Sequence, residues 1–243
     1  MDAVYMVGGE SKMGDWELRY SLRSLVKHYS QLERVWIIGH LPDWLRGVSH
    51  IPQGDPYKSN KDANLIAKVI RLGHVAELSE DFLMMSDDHF LLKDCAREDF
   101  RPYYNKDMEP MKKENFAKNK WAQRLRRSRD ALIAQGYPAR DYEGHIPYPL
   151  KKSKVWTFLN FDYGHGIGYC VFTLYFNTVD TPNIGPINKG RVRAGFYGQK
   201  PPKQLVDRKL KDNRFLNFND GGFTPYIQKR VEELFPEPSR FEQ

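Results

Sequence analysis

Cysteine is scarce in this sequence, and long apolar runs are absent. The 243 residues include two cysteines, Cys95 and Cys170, which lie far apart and outside any CxxC pattern. This spacing excludes a zinc site of several thiolates and argues against a disulfide framework. No apolar run approaches the ~20 residues that a membrane-spanning helix needs, and the first residues lack the features of a secretory signal. We therefore expect no transmembrane segment and a reducing, cytoplasmic setting.

Acidic residues are outnumbered by basic ones. The sequence holds 38 Lys and Arg against 31 Asp and Glu, which gives a net charge of +7. A basic surface attracts polyanions such as nucleic acid, an anionic membrane face or a phosphorylated ligand, although this charge is also common on ordinary soluble domains. Apolar residues make up 40% of the chain, enough for a core, and the length fits one α/β domain.

Short apolar runs alternate with amphipathic segments in the first part of the chain. Apolar runs predict strands at 3–7, 34–39, 48–51 and 82–86. Helical spacing predicts a helix from about Asp15 and another over 61–72, with Asn60 as its N-cap. This order favours a Rossmann-like, mainly parallel sheet with helices on both faces. Ligands bind beyond the carboxyl ends of such strands, so the residues that follow them are expected to be neighbours: Gly8, Gly9, Gly39, Asp55, Asp87 and Asp88.

The second half of the sequence is less regular. Composition and periodicity predict five features there: a loop-rich stretch over 94–118, a basic helix over 119–135, a strand at 169–176 (YCVFTLYF), a Gly- and Pro-rich linker over 182–202, and a last strand at 214–218. Thr224 and Pro225 predict the start of a closing helix, because Thr suits the cap position and Pro the first helical position.

The sharpest local signal is the segment Ser86-Asp87-Asp88-His89, directly after the apolar run FLMM, with its adjacent pair of aspartates. Two carboxylates at the end of a buried strand repel each other, so ionisation of both is costly unless a cation is present. Hard oxygen ligands suit Mg²⁺ or Mn²⁺, which also bind the phosphate oxygens of a nucleotide. The alternative is a solvated turn or a helix cap. The neighbouring His89 is either a further ligand or a side chain that points away.

Six segments, in the same order along nearly the whole chain, resemble the motifs of Stealth-type sugar-phosphate transferases. They are DAVYMVGGES, DWELRYSLRSLVKHYSQLERVWIIGHLPDWL, LSEDFLMMSDDHFLL, GHIPYPLKKS, RFLNFND and LFPEPSRFE. More broadly, the sequence resembles nucleotide-sugar glycosyltransferases of the GT-A fold, in which an acidic pair is the metal motif. Its first part also looks similar to short phage-type glycosyltransferases, some of which are implicated in modifying DNA bases.

The resemblance implies a single GT-A-like domain over 1–243. Residues 1–93 would form the half that binds a nucleotide-diphosphate sugar, and 94–243 the acceptor-binding and catalytic half. Mn²⁺ or Mg²⁺ is the implied cofactor, and the implied setting is the cytoplasm of a bacterium or of a phage-infected host. The implied reaction is metal-dependent transfer of a sugar to a hydroxyl acceptor. Two alternatives stay open: sugar-1-phosphate transfer to a glycan, and a non-catalytic module that binds nucleic acid.

Matched position by position, the resemblance also implies roles for individual residues. The implied metal ligands are Asp87 and Asp88, and the implied catalytic residues are His145, Asn219 and Asp220. The expected donor-binding residues also include two polar residues near the ends of the predicted strands, Asp55 and Lys61. The full set is Val7, Gly8, Gly9, Arg19, Arg23, Asp55, Lys61 and Asp87. An arginine after the first strand suits a diphosphate, and a histidine in a rigid loop suits a general base.

Most of these residues also have a plainer explanation. Arg19 and Arg23 fit the solvated face of an amphipathic helix, and His145 fits a hydrogen-bonded loop. Asn219 and Asp220 precede two glycines, a composition that is typical of a turn.

Two departures from the family pattern bear on the reaction. The opening motif has Met6 where the family has tryptophan, and 169–176 lacks the arginine that the family places beyond its His-x-Pro motif. Arg191 and Arg193 are the candidates to replace that arginine. The departures favour glycosyl transfer over sugar-phosphate transfer.

The predicted basic helix bears on the acceptor. Its sequence KNKWAQRLRRSRD combines cations with an aromatic ring, a combination that suits DNA, whereas the family resemblance favours a polysaccharide. The expected acceptor-binding residues are Lys120, Trp121, Arg124 and Arg127. The alternative is that Trp121, Leu125 and Leu132 form the core-facing stripe of the helix and that its charges are merely solvated.

Overall fold

The computed structural model describes residues 1–9, 11, 13–108, 119–179, 185–187, 191–198 and 200–243. Within these residues there are ten strands: β1 (Asp2–Val7), β2 (Val35–Gly39), β3 (Ser49–Ile51), β4 (Asp81–Met85), β5 (Phe90–Leu91), β6 (Lys106–Asp107), β7 (Arg140–Asp141), β8 (Tyr148–Lys151), β9 (Arg193–Phe196) and β10 (Phe215–Phe218). The described α-helices are α1 (Trp16–His28), α2 (Lys61–Leu72), α3 (Lys120–Ala134), α4 (Val171–Thr178), α5 (Lys203–Asp212) and α6 (Pro225–Leu234).

A five-stranded sheet in the order β3-β2-β1-β4-β8 forms the centre of the fold. The first four strands run parallel, and β8 is antiparallel to β4. β1 and β2 are buried almost throughout, as expected for parallel strands that are covered on both faces. The prediction of an α/β fold with a mainly parallel sheet is therefore confirmed.

A smaller sheet in the order β5-β10-β9 lies beyond the end of β4. β9 and β10 pair in parallel, and β5 is antiparallel to β10. A second apolar cluster forms around this sheet, where Phe90, Phe196 and Leu216 pack with Val206 and Ile227 from the flanking helices. The chain passes from the large sheet to the small one through the four residues that contain the acidic pair.

Buried hydroxyl groups of α1 hold the segment between β4 and β5 in place. Ser21 Oγ lies 2.9 Å from the hydroxyl of Tyr5 on β1 and donates to the backbone carbonyl of His89. Ser24 Oγ accepts a hydrogen bond of 3.0 Å from the backbone N–H of Leu91. Because these groups are buried, each bond is costly to break. The helix thereby ties the end of the acidic segment to the first strand of the large sheet.

The predicted strands of the first part, the helix over 61–72, the basic helix and the last strand are confirmed, with small shifts at their ends. The caps are confirmed as well: Asn60 accepts from Ala63 N, and Thr224 accepts from Ile227 N. Asp15 occupies the N-cap position of α1, but its side chain makes no capping hydrogen bond.

One predicted strand is wrong: the stretch 169–176 contains most of α4, which is a helix. Its residues are buried nearly all round, so the helix needs no polar face, and a short apolar run carries no periodicity that separates helix from strand. The predicted linker over 182–202 contains β9, which pairs with β10.

Parts of two predicted features lie outside the described residues, namely 109–118 of the loop-rich stretch and 180–184, 188–190 and 199 in or near the linker. Among the described helices, none combines the length and apolarity that a membrane span requires.

Candidate active site

Asp87 and Asp88 lie at the junction of the two sheets. β4 ends at Met85 and β5 begins at Phe90, so the pair follows the carboxyl end of a central parallel strand. This edge of an α/β sheet is where ligands bind. The position agrees with the sequence-based expectation for the pair.

The charged forms of this pair are costly in the free protein. Burial and the neighbouring Asp87 raise the pKa of Asp88 to about 8, and burial raises the pKa of Asp87. Among the described residues, no lysine or arginine lies within ion-pair distance of either carboxylate. Yet 28% of the Asp88 side chain is accessible. A carboxylate that is desolvated yet partly accessible indicates a concave surface around Asp88, and we call this surface the cleft.

A third acidic group, Glu17, lies at the same place and was not predicted. Burial raises its pKa to about 7, with further contributions from Asp87, Asp220 and Asp15. Glu17 belongs to the first turn of α1, which follows β1. The signal that could have found it is this position, because the first turn after a parallel strand opens onto the same edge of the sheet. The cleft floor thus concentrates acidic groups that retain protons near neutral pH in the free protein.

His89 is buried beside the acidic pair, with Nε2 4.0 Å from Oδ1 of Asp88. Its Nδ1 accepts a hydrogen bond from the backbone N–H of Ser86 at 3.2 Å, so the neutral ring carries its proton on Nε2. Burial lowers the pKa of His89 well below the usual value. A ring with one nitrogen protonated and the other engaged offers no lone pair to a metal, which favours the interpretation that His89 is not a metal ligand.

Asn217 and Tyr197 reach the acidic pair from the small sheet, and neither was predicted. Nδ2 of Asn217 donates to Oδ2 of Asp88 at 2.6 Å, and the hydroxyl of Tyr197 donates to Oδ1 of Asn217 at 2.6 Å. Asn217 is fully buried, whereas 40% of Tyr197 is exposed. Both belong to sequence far from Asp88, and no local pattern marks them.

His145 lies between two aromatic rings on one side of the cleft. Its ring centre is 6.3 Å from that of Trp121 and 5.8 Å from that of Tyr197. Its backbone has φ 48°, a left-handed conformation that is uncommon for residues other than glycine. Burial and the nearby Arg193 and Arg124 lower the pKa of His145 to about 4. The imidazole is therefore neutral at physiological pH and can accept a proton.

Arg193 fixes the loop that carries His145. Its Nη1 donates to the backbone carbonyl of Gly144, and its guanidinium lies 5.4 Å from the ring centre of Tyr197. Arg193 is one of the two candidates for the arginine that the family places beyond its His-x-Pro motif. The other, Arg191, is exposed and lies 3.8 Å from Asp212.

The remaining predicted catalytic residues follow β10. Asn219 closes a turn, because its Oδ1 accepts from the backbone N–H groups of Gly222 at 2.9 Å and Gly198 at 3.2 Å. Asp220 is exposed and close enough to Glu17 to raise the pKa of that carboxyl. The structure thus brings Asp220 to the acidic cleft, while the side chain of Asn219 is engaged in the turn.

The expected donor-binding residues fall into two groups. Val7, Gly8 and Gly9 lie at the carboxyl end of β1, beside the end of β2. Near the same edge, Asp55 forms a 2.8 Å ion pair with the buried Lys68, and Lys61 is exposed at the start of α2.

The second group, Arg19 and Arg23, is bound by the chain's own tail. Arg19 forms an ion pair of 3.0 Å and Arg23 one of 2.7 Å with Glu242, and Arg23 also donates to two carbonyl groups at 235 and 236. The guanidinium of Arg19 stacks over Trp44. These contacts explain both arginines without a ligand, and their donor-binding role stays a prediction.

The expected acceptor-binding residues on α3 also differ in their surroundings. Trp121 is half-buried beside His145, and Lys120 is exposed. Arg124 binds both carboxylate oxygens of Asp62, at 2.9 and 3.0 Å. Arg127 donates to the backbone carbonyls of residues 162 and 165 and stacks over Tyr169. Trp121 and Arg124 thus lie at the site, while Arg127 holds a loop.

Comparison with solved structures identifies the fold. An active-site mutant of LgtC matches with a TM-score of 0.53 and 11% identity, and the galactosyltransferase LgtC in complex with donor and acceptor sugar analogs matches with a TM-score of 0.50 and 10% identity. Each match covers 100% of this chain and 98% of the other. No family model matches the sequence, and no curated protein matches it either. The chain therefore has the GT-A fold, as the resemblance implied.

Proposed function

We propose that the chain is a divalent-metal-dependent glycosyltransferase that moves a sugar from a nucleotide-diphosphate sugar to a hydroxyl acceptor. The observation that carries this proposal is the pair Asp87 and Asp88. Both carboxyls are desolvated and lie at the cleft. Among the described residues, no lysine or arginine forms an ion pair with either of them. On this fold, such a pair at the end of a central strand suits the cation that binds a donor diphosphate.

The residues present fit Mn²⁺ or Mg²⁺. Asp87 and Asp88 would hold the cation through carboxylate oxygens, the ligand type that both metals prefer. Within the described residues, no group of three or more His, Cys, Asp or Glu side chains is arranged to hold a metal. Water and donor oxygens would supply the other ligands. When bound, the cation would stabilise the charge that develops on the leaving diphosphate.

The side chains around the cleft suit the transfer step. The acceptor hydroxyl gives its proton to a base while its oxygen bonds to the anomeric carbon of the sugar. The bond from that carbon to the diphosphate oxygen breaks, and its electrons leave with the diphosphate. His145, neutral because its pKa is lowered to about 4, and Asp220 are the candidate bases. Trp121 and Tyr197 flank His145 and suit the acceptor.

The contacts of α3 favour a glycan over DNA as the acceptor. Arg124 and Arg127 bind other parts of the chain. Arg126 and Arg129 form ion pairs with Asp130, at 3.4 and 2.9 Å. Arginines that already have protein partners contribute less to phosphate binding, which DNA affinity requires. Strong, salt-sensitive binding of duplex or single-stranded DNA by the purified protein would favour the DNA alternative instead.

Sugar-1-phosphate transfer is a second candidate function. The observation that favours it is the position of Arg193, which donates to the carbonyl of Gly144 next to His145 and would replace the arginine that 169–176 lacks. An arginine near a histidine base suits a phosphorus centre that is under attack. The two reactions release different products: glycosyl transfer releases a nucleoside diphosphate, and sugar-phosphate transfer releases a nucleoside monophosphate.

Analysis of the released nucleotide tests the proposal. UDP-, GDP-, CDP- and TDP-sugars are incubated with the protein and Mn²⁺, with water taking the place of the acceptor hydroxyl, and the products are separated by chromatography. We expect nucleoside diphosphate from at least one donor, and a loss of about 100-fold or more in the Asp88→Asn variant. The matched control is Asp94→Asn, because Asp94 is a surface carboxylate paired with His28. Equal release by Asp88→Asn and unaltered protein would contradict the proposal, and nucleoside monophosphate as the product would support the second candidate.

A further inference from the structure

Two hydrogen bonds in series join a ring on the rim of the cleft to Asp88. Tyr197 donates to Oδ1 of Asn217, and Asn217 donates to Oδ2 of Asp88, each over 2.6 Å. The same amide nitrogen lies 3.3 Å from the backbone carbonyl oxygen of Asp88. We name these two side chains the Tyr197–Asn217 relay. The amide at its centre is fully buried, whereas the tyrosine and the carboxylate at its ends are partly accessible.

The small sheet is built to bring the relay together. Asn217 on β10 lies opposite Gly195 on β9, and Tyr197 follows β9 directly. A Cβ atom at Gly195 would lie only 2.6 Å from Cε2 of Tyr197, closer than non-bonded carbons approach. The absence of a side chain at this position therefore lets the tyrosine ring fold back over the strand. The hydroxyl of Tyr197 reaches Asn217 because of it.

The chemistry of the groups fixes the direction of both hydrogen bonds. A carboxylate that binds a cation is ionised and only accepts, so in that state the amide of Asn217 has to keep its NH₂ group turned toward Asp88, as it is in the structure. The amide oxygen then faces Tyr197, whose hydroxyl donates to it. Without that hydroxyl, the amide oxygen loses its donor, and only the bonds from Nδ2 to Asp88 hold the amide in place.

We propose that Tyr197 and Asn217 are positioning residues that hold the Asp88 carboxylate in the orientation needed to bind a divalent cation. This inference rests on the proposed function, because it takes Asp88 as a cation ligand. The relay leaves the second oxygen, Oδ1, for other contacts; it lies 4.0 Å from Nε2 of His89. Outer partners of a ligating carboxylate typically change metal affinity by about 10- to 100-fold.

Titration with Mn²⁺ alone, followed by the electron paramagnetic resonance signal of the free ion, measures the relay without turnover. We expect Asn217→Leu to weaken Mn²⁺ binding by about 10- to 100-fold and Tyr197→Phe by a smaller factor, about 3- to 10-fold. Because Tyr197 acts through Asn217, the double variant should bind Mn²⁺ no more weakly than Asn217→Leu. If the two substitutions acted independently, the factors by which each weakens Mn²⁺ binding would instead multiply in the double variant.

The matched control is Tyr226→Phe. The hydroxyl of Tyr226 donates to Asp207 at 2.7 Å, so this change deletes the same kind of bond between helices that flank the small sheet. We expect its Mn²⁺ affinity to equal that of the unaltered protein. Tyr197→Phe removes a single oxygen atom from a partly exposed ring, so it keeps the test valid even if Asn217→Leu fails to fold.

The results separate the inference from the function on which it rests. Unchanged Mn²⁺ affinity in Tyr197→Phe, or losses that multiply in the double variant, would overturn the relay while Mn²⁺ binding by the unaltered protein still supported the proposed function. Absence of Mn²⁺ binding by the unaltered protein, with and without UDP, would overturn both.

Discussion

Ionisation of the buried Asp88 carboxyl lowers the stability of the folded protein. Burial and Asp87 raise the pKa of Asp88 from 3.8 to about 8, so the folded protein holds this proton more tightly than the unfolded chain does. The contribution of Asp88 to stability is therefore complete below pH ~4 and is lost as the pH rises toward 8. A group that destabilises the free fold at neutral pH is typical of a binding site rather than of a structural one.

Asp88→Asn should therefore stabilise the metal-free protein at pH 8. The substitution removes a desolvated charge and its repulsion with Asp87, and we expect a gain of about 1–2 kcal/mol in the free energy of unfolding. The gain should shrink as the pH falls toward 4, because Asp88 is then protonated. Urea denaturation in EDTA measures it, with Asp94→Asn as the control. A variant that is less stable than the unaltered protein at pH 8 would contradict the electrostatic account.

The sequence predicts part of the site at this scale. Asp87 and Asp88 are recognisable because two acids directly follow an apolar strand. Glu17 was missed although its position after β1 could have marked it. The roles of Asn217 and Tyr197 could not be predicted from the sequence, because they depend on the pairing of β9 with β10 and on the space above Gly195.

At the scale of elements, the C-terminal segment fastens α1 to the fold. Burial alone would raise the pKa of Glu242, but hydrogen bonds from Arg23, Arg19 and the backbone N–H of Ser239 lower it to about 2. The Glu242 side chain is only 3% exposed, so the pairs are well shielded from water. The tail also accepts a hydrogen bond at Phe241 from Arg46. Removal of the carboxylate would leave two arginines partly buried without their partner.

Glu242→Gln should lower the free energy of unfolding by about 3 kcal/mol near pH 7. The folded-state pKa lies below the unfolded value of 4.5, so the contribution of Glu242 is present above pH 4.5 and is lost as the pH falls through about 2. The difference between variant and unaltered protein should therefore shrink below pH 4.5. Urea denaturation across this range measures it. A constant difference between pH 7 and pH 3 would count against the ion pair as the cause.

Sequence patterns predicted the elements of the first part of the chain better than those of the second. β1 to β4 and α2 carry clear periodicity, glycine stops or caps, so local chemistry decides them. α4 was predicted as a strand because a fully buried helix lacks a polar face, and β9 was placed in a linker because a four-residue strand near glycines gives no pattern. Tertiary contacts decide both.

At the scale of the whole molecule, the site depends on both sheets. The acidic pair and the glycines after β1 follow strands of the large sheet. Asn217 belongs to the small sheet, and Tyr197 directly follows β9 of the same sheet. The order of the motifs, through the resemblance to known transferases, predicted that His145 and Asp220 belong near the acidic pair. Spacing alone could not, because more than fifty residues separate Asp88 from His145.

If a cation on Asp87 and Asp88 binds the diphosphate of a sugar nucleotide, a thermal-shift panel will show it. UDP-, GDP-, CDP- and TDP-sugars are each added with and without Mn²⁺ to the unaltered protein and to Asp87→Asn and Asp88→Asn. We expect at least one donor to raise the unfolding midpoint only when Mn²⁺ is present, since a ligand that binds the native state stabilises it, and both variants to lose this increase. An increase that is independent of Mn²⁺ and of both substitutions, or no increase with any donor, would show that this pair does not bind a donor through a cation.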